Sequence, residues 1–123
     1  MSVTITVQGI TVKAKVILKS QLLAAWKRIC SEPFPRVGAF QLLDSDFDRV
    51  MRFTQKSSED EWRERLEWGR VLPIEGTDAS VCTANEFAGV DGVDFVILVR
   101  ENPYHKLSEI LEHELGHIAR GDL

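Results

Sequence analysis

Residues 94–100 of this chain read Asp-Phe-Val-Ile-Leu-Val-Arg, and a second patterned stretch follows over residues 103–120. The five consecutive apolar residues, 95–99, make this the strongest predicted β-strand of the chain. In the stretch that follows, apolar residues recur at helical spacing, which predicts an α-helix that ends near Arg120. Gly121 then stands where helices often end in a left-handed residue. A strong strand followed by an amphipathic helix is therefore the basis of the predicted fold.

The predicted helix has a recognisable beginning and a core-facing side. Asn102 suits the N-cap and Pro103 suits the first helical position, so we expect the helix to begin there. His113 and His117 lie to one side of the apolar stripe, where side chains remain accessible. The stripe that we expect to face the core consists of Leu107, Ile110, Leu111, Leu115 and Ile118.

The N-terminal part of the chain predicts a mixture of strands and helices. Residues 3–7 and 10–18 alternate polar and apolar side chains around the turn signal Gln8-Gly9, which indicates a β-hairpin. A helix over about residues 21–30 and a short strand over residues 40–43 follow.

Three acidic residues, Asp44, Asp46 and Asp48, have the spacing with which a calcium-binding loop begins. That loop needs Gly at its sixth position and Glu at its twelfth, and this chain has Arg49 and Gln55 there. The pattern therefore predicts the acidic N-terminus of a second helix.

The rest of the chain completes an α+β pattern. A charged helix is predicted over about residues 57–69, and weaker strands are predicted over residues 71–74 and 80–83. Because helices and strands are interspersed without repeats or linkers, the class is α+β or mixed α/β. The length of 123 residues suits one domain over residues 1–123.

Composition narrows the classes of function. Hydrophobic residues make up 44% of the chain and the net charge is −4, which argues against broad binding to nucleic acid. No apolar run is long enough to span a bilayer, and the N-terminus lacks the pattern of a signal peptide, so we expect a cytoplasmic protein. Cys30 and Cys82 are far apart and are expected to be separate thiols.

His113-Glu114-Leu115-Gly116-His117 fits the pattern H-E-x-x-H, in which two histidines bind zinc and the glutamate acts as a general base. On a helix, His113 and His117 are one turn apart and face the same way, so their imidazoles can share one metal ion. Glu114 can then reach a water molecule on that metal. The sequence therefore predicts a Zn²⁺ site on this helix.

Together, the strand at 94–100 and the helix bearing the motif resemble the active-site strand and helix of zincin metallopeptidases. The form His-Glu-Leu-Gly-His is similar to that of small cytosolic types, including the ImmA/IrrE-like family and minimal gluzincins. This resemblance covers about residues 94–122. It implies a small zincin-like domain with a short twisted mixed sheet, an N-terminal hairpin and a C-terminal active-site helix behind an edge strand. It also implies that residues 95–100 form that edge strand and align a peptide substrate by strand addition.

A catalytic zinc usually has three protein ligands, and the motif supplies two. If the helix ends at Gly121, Asp122 can fold back to the metal as the third ligand, although metzincins place their third ligand six residues after the second histidine. Other sources are residues beyond Leu123 and a carboxylate from a second molecule. The upstream alternatives are His105, Glu86 and Asp94.

The resemblance implies a zinc-dependent metallopeptidase that hydrolyses peptide bonds in a protein or peptide through a metal-activated water, with Glu114 as the general base. A nearby donor for the oxyanion would come from Tyr104, His105 or Arg120. The alternative is a zinc-binding regulatory or interaction module with a zincin-like fold and little or no turnover, and a third possibility is a domain without metal. No nucleic-acid or membrane partner is expected, and the oligomeric state is not predicted.

Overall fold

A computed structural model describes residues 2–7, 9–55 and 78–121. Within these ranges the chain forms six strands, three α-helices and one short 3₁₀ helix, so the predicted α+β class is confirmed. The predicted elements at 57–69 and 71–74, as well as Asp122, lie outside the described residues. In chain order the elements are β1 (Ser2–Val7), β2 (Ile10–Val16), α1 (Lys19–Ile29), β3 (Val37–Leu42), α2 (Asp44–Gln55), β4 (Ala79–Thr83), the 3₁₀ helix (Ala84–Glu86), β5 (Phe87–Ala88), β6 (Phe95–Arg100) and α3 (Leu107–Arg120).

The six strands form one mixed sheet in the order β4-β6-β3-β2-β1-β5. β3 and β6 are parallel, and the other neighbouring strands are antiparallel. β4 and β5 are at opposite edges of the sheet, although only the 3₁₀ helix separates them in the chain. A flat sheet of this size would hold its edges roughly 24 Å apart, whereas the connection spans at most about 15 Å. The sheet must therefore curl.

Helices cover both faces of the sheet. On one face, α2 contributes Phe47, Val50 and Met51 to a core shared with alternate residues of the strands. On the other face, α1 and α3 pack together over a second core. The predicted stripe of α3 is confirmed, because all five of its residues lie in or against this second core. No helix in the described ranges is both long and apolar enough to cross a membrane.

β6 is not an edge strand, and the expectation that residues 95–100 form one is wrong. β3 pairs with it on one side and β4 on the other. Val96 and Leu98 belong to one core and Ile97 and Val99 to the other, so both faces are buried as well. The apolar run that makes the strand easy to predict is the signature of an interior strand. Among the described strands, β4 lies at the edge of the sheet beside β6.

α3 begins at Leu107, four residues later than the predicted start at Pro103. The backbone N–H of Asn102 donates to the carboxylate of Asp44, and the N–H groups of Tyr104 and His105 donate to that of Asp78. These distant carboxylates bind the N–H groups that a helical first turn would leave unpaired, and Lys106, directly before the helix, has extended backbone angles. The predicted end is confirmed, because Gly121 is left-handed with φ of 70°.

A buried cation ties β6 to α2. The Arg100 side chain is only 7% exposed, and its Nη2 donates to Oδ1 of Asp48 at 2.7 Å. Its guanidinium also lies 4.9 Å from the centre of the Phe47 ring and 3.9 Å from a carboxylate oxygen of Asp44. The acidic spacing therefore starts α2, as predicted, and two of its carboxylates also face Arg100.

Replacing Arg100 with alanine should lower the free energy of unfolding by about 2–4 kcal/mol, because it removes a buried ion pair and leaves Asp48 without its partner. Urea denaturation measures this loss. Arg36→Ala is the matched control, since Arg36 forms an ion pair with Asp94 at the protein surface. Equal losses in the two variants would contradict a structural role for the Arg100 cluster.

Candidate metal centre

α3 brings the three motif side chains together as predicted. The imidazole rings of His113 and His117 meet edge to face, with centroids 4.9 Å apart and an interplanar angle of 87°. His113 is exposed and His117 is half-buried. Glu114 lies on the inner side of the helix and is only 7% exposed. The pair of imidazoles thus has a buried carboxylate beside it.

Burial affects the pKa of Glu114. Loss of water around the carboxylate raises the pKa of Glu114 above its ordinary value, and the neighbouring His113 and His117 partly oppose this change. A carboxylate with a raised pKa holds a proton more readily than an exposed one, which suits a group that must accept a proton and then release it.

Glu114 and His113 open onto a cleft of about 430 Å³. The cleft lies between α3, the start of β4 and the loop that precedes α3. Asp78 and His105 line it from outside the helix. The lining residues are Asp78, Ala79, His105, Glu109, Ile110, His113 and Glu114.

Asp78 is the residue of this cleft that sequence reasoning missed. Its carboxylate accepts hydrogen bonds from the backbone N–H groups of Tyr104 and His105 at 2.8 and 3.0 Å, and from Nδ1 of His105 at 2.6 Å. Burial raises the pKa of Asp78, but these hydrogen bonds and His105 outweigh it and lower the pKa below its ordinary value. The partners of Asp78 are 26 and 27 residues away, so no local pattern reveals them.

The predicted third ligand is not found among the described residues. Within residues 2–7, 9–55 and 78–121, no three His, Cys, Asp or Glu side chains are grouped so that they could hold a metal ion. Asp94 is paired with Arg36 through two hydrogen bonds, and His105 is bound to Asp78. The side chain of Glu86 lies outside the description, as does Asp122. Two imidazoles beside a carboxylate fit the donor chemistry of zinc, and the third donor stays a prediction.

Arg120 lies over the motif. A side chain at Gly116 would place its Cβ 3.0 Å from Nη1 of Arg120, so the guanidinium fills the space that the glycine leaves. Nη2 of Arg120 is 3.3 Å from Nδ1 of His117. Because arginine only donates, Nδ1 of His117 is the acceptor in this contact.

No family model, curated protein or solved structure matches this chain. The case for a function therefore depends on the chemistry of the cleft.

Replacing Gly116 with alanine should raise the free energy of unfolding by about 0.5–1 kcal/mol, because alanine favours the helix and only the flexible end of Arg120 must move. Thermal or urea denaturation measures this change. Gly89→Ala is the contrasting control and should destabilise the protein. Its φ is +83°, and its Cβ would lie 3.0 Å from the backbone oxygen of Thr4. A clear loss of stability in Gly116→Ala would show that the Arg120 side chain cannot move away from the added methyl group.

Proposed function

We propose that this protein is a zinc-dependent peptidase of zincin type, in which His113 and His117 bind the metal and Glu114 is the general base. The observation that carries this proposal is the position of Glu114, which is buried beside both imidazoles and opens onto a cleft with His113. We infer that Asp122 is the third ligand, since it follows directly after the left-handed turn at Gly121.

The two imidazoles and Glu114 have different roles in the proposed hydrolysis. A zinc ion held by the two imidazoles would lower the pKa of a bound water and polarise the carbonyl of the substrate. Glu114 takes a proton from that water and passes it to the leaving amine. The low exposure of Glu114 strengthens its interactions with the reacting groups, because little bulk water screens them.

The edge strand β4 offers a place for an extended peptide. Arg100 N donates to Asp78 O and Ala84 N donates to Asp94 O, so the alternation of an antiparallel pair directs the polar backbone groups of Ser80 and Cys82 toward β6. The backbone N–H and C=O groups of Ala79, Val81 and Thr83 therefore point away from β6. No strand in the described ranges pairs with that side of β4. Since β4 begins at Ala79 in the cleft, a peptide added to this edge would pass beside Glu114. The substrate-aligning role expected of residues 95–100 thus moves to β4.

Glu114→Gln should bind zinc with nearly wild-type affinity but lower the rate of casein cleavage by about 10²–10⁴-fold, because the amide cannot accept the proton from water. Glu112→Gln is the matched control: it removes a carboxylate from the same helix that is bound to Arg28 and does not line the cleft. Zinc content by mass spectrometry and a fluorescent casein assay report the two properties.

Equal cleavage by the wild type and Glu114→Gln would eliminate the peptidase. Stoichiometric zinc without cleavage by the wild type would instead favour the zinc-binding module. The Arg120 contact on His117 and the absence of a third donor among the described residues are the observations that support that second candidate.

Val81→Pro should weaken peptide binding roughly tenfold while the fold is retained, because the lost N–H points away from the sheet. Cys82→Pro is the control with the opposite orientation, and it should destabilise the protein by about 2–3 kcal/mol through the loss of a bond to β6. Michaelis constants on casein and thermal unfolding measure the two effects. An unchanged Michaelis constant in a folded Val81→Pro protein would rule out strand addition at β4.

A further inference from the structure

An aspartate and a histidine from outside α3 face the same cleft as the motif. Nδ1 of His105 is 2.6 Å from Oδ2 of Asp78, and both residues line the cleft together with His113 and Glu114. The Asp78 side chain is 8% exposed, whereas that of His105 is 69% exposed. The pair thus combines a buried, fixed carboxylate with a ring that solvent or a ligand can reach.

The hydrogen bonds determine which ring nitrogen is available. Asp78 is held in its ionised form by three donors, and an ionised carboxylate only accepts hydrogen bonds. Nδ1 of His105 therefore carries a hydrogen and is committed to Asp78. Nε2, on the opposite side of the ring, is the nitrogen left for a ligand.

Tyr104, His105 and Arg120 are the three candidates for the oxyanion donor, and the structure places them differently relative to the cleft. Tyr104 is 70% exposed and does not line the cleft. Arg120 lies over Gly116 with its guanidinium against His117, and it too does not line the cleft. His105 lines the cleft and has an oriented ring.

We propose that His105, positioned by Asp78, binds the substrate in this cleft and donates a hydrogen bond from Nε2 of its protonated ring to the oxyanion that forms on the scissile carbonyl. The inference rests on the proposed peptidase function and adds a second catalytic residue to it, with Asp78 as the positioning residue. His105 keeps its proton throughout, and the proton from water still travels through Glu114 to the leaving amine. Donors aimed at a developing oxyanion are worth about 10²–10³-fold in rate.

The test uses the full-length zinc-loaded protein with inorganic phosphate as a tetrahedral oxyanion probe. His105→Ala should weaken phosphate binding at least tenfold and leave the zinc affinity within threefold of wild type. His105→Gln, whose side-chain amide can donate, should recover part of the phosphate affinity. Tyr104→Phe is the matched control and should bind both like the wild type. Isothermal titration calorimetry measures the phosphate and zinc affinities of the wild type and the three variants. His105→Ala should fold, because Asp78 keeps the hydrogen bonds from both of its backbone donors.

A separate measurement tests whether Asp78 orients the His105 ring. In ¹⁵N spectra of the metal-free protein at pH 9, the His105 ring should be the Nδ1–H form, and Asp78→Asn should give a mixture of the two ring forms. The zinc-loaded Asp78→Asn protein should also bind phosphate more weakly. A wild-type spectrum of the Nε2–H form would overturn the orientation that the proposal requires.

The outcomes distinguish this inference from the proposed function. Unchanged phosphate affinity in His105→Ala, with zinc still bound, would overturn the role of His105 and leave the peptidase standing. A tenfold or greater loss of zinc affinity in His105→Ala would also overturn the proposed role, since His105 would then be a metal ligand. A wild-type protein that binds no zinc would refute the proposed function and, with it, this inference.

Discussion

β6 has apolar side chains on both faces, and water must be kept from both. The sheet meets this constraint by placing β3 and β4 on its two sides, while α2 covers one face and α1 and α3 cover the other. Burying such a strand removes apolar surface from water at about 25 cal/mol per Å². Since α3 lies over the same strand that leads into it, the position of the motif follows from the packing of β6.

Between β6 and α3 the chain passes through a loop held by carboxylates at both ends. Asp44 binds the backbone and side chain of Asn102 where the loop begins, and Asp78 binds the N–H groups just before the helix. The bonds to Asp78 are better shielded from water than those to the more exposed Asp44, and shielded hydrogen bonds to an ionised group contribute more to stability. The same contacts that delay the start of α3 bring His105 into the cleft. The late helix start is therefore part of how the candidate site is built.

Local patterns predicted most of the elements, and non-local contacts determined what those patterns missed. The hairpin, the strand β6 and the end of α3 at Gly121 follow from alternation, an apolar run and a glycine, all of which operate within a few residues. The start of α3 depends on Asp44 and Asp78, which are 58 and 26 residues from their partners. The edge position of residues 95–100 came from the resemblance to zincins, whereas the pairing of β6 with both β3 and β4 places the strand inside the sheet. The motif predicted His113, Glu114 and His117, but Asp78 had no local signal.

In the two histidine contacts of the site, Nδ1 has opposite hydrogen-bonding roles. Asp78 accepts from Nδ1 of His105, which leaves Nε2 of that ring available. Arg120 donates to Nδ1 of His117, which places the hydrogen of the neutral ring on Nε2. If His117 held zinc through Nε2, the ring hydrogen would be on Nδ1, where Arg120 could no longer donate, and binding through Nδ1 would displace Arg120 directly. Zinc binding as proposed would therefore require Arg120 to move away from that ring. The zinc affinity of the proposed site would therefore include the free energy of moving Arg120, whose long side chain can reach other parts of the surface of α3.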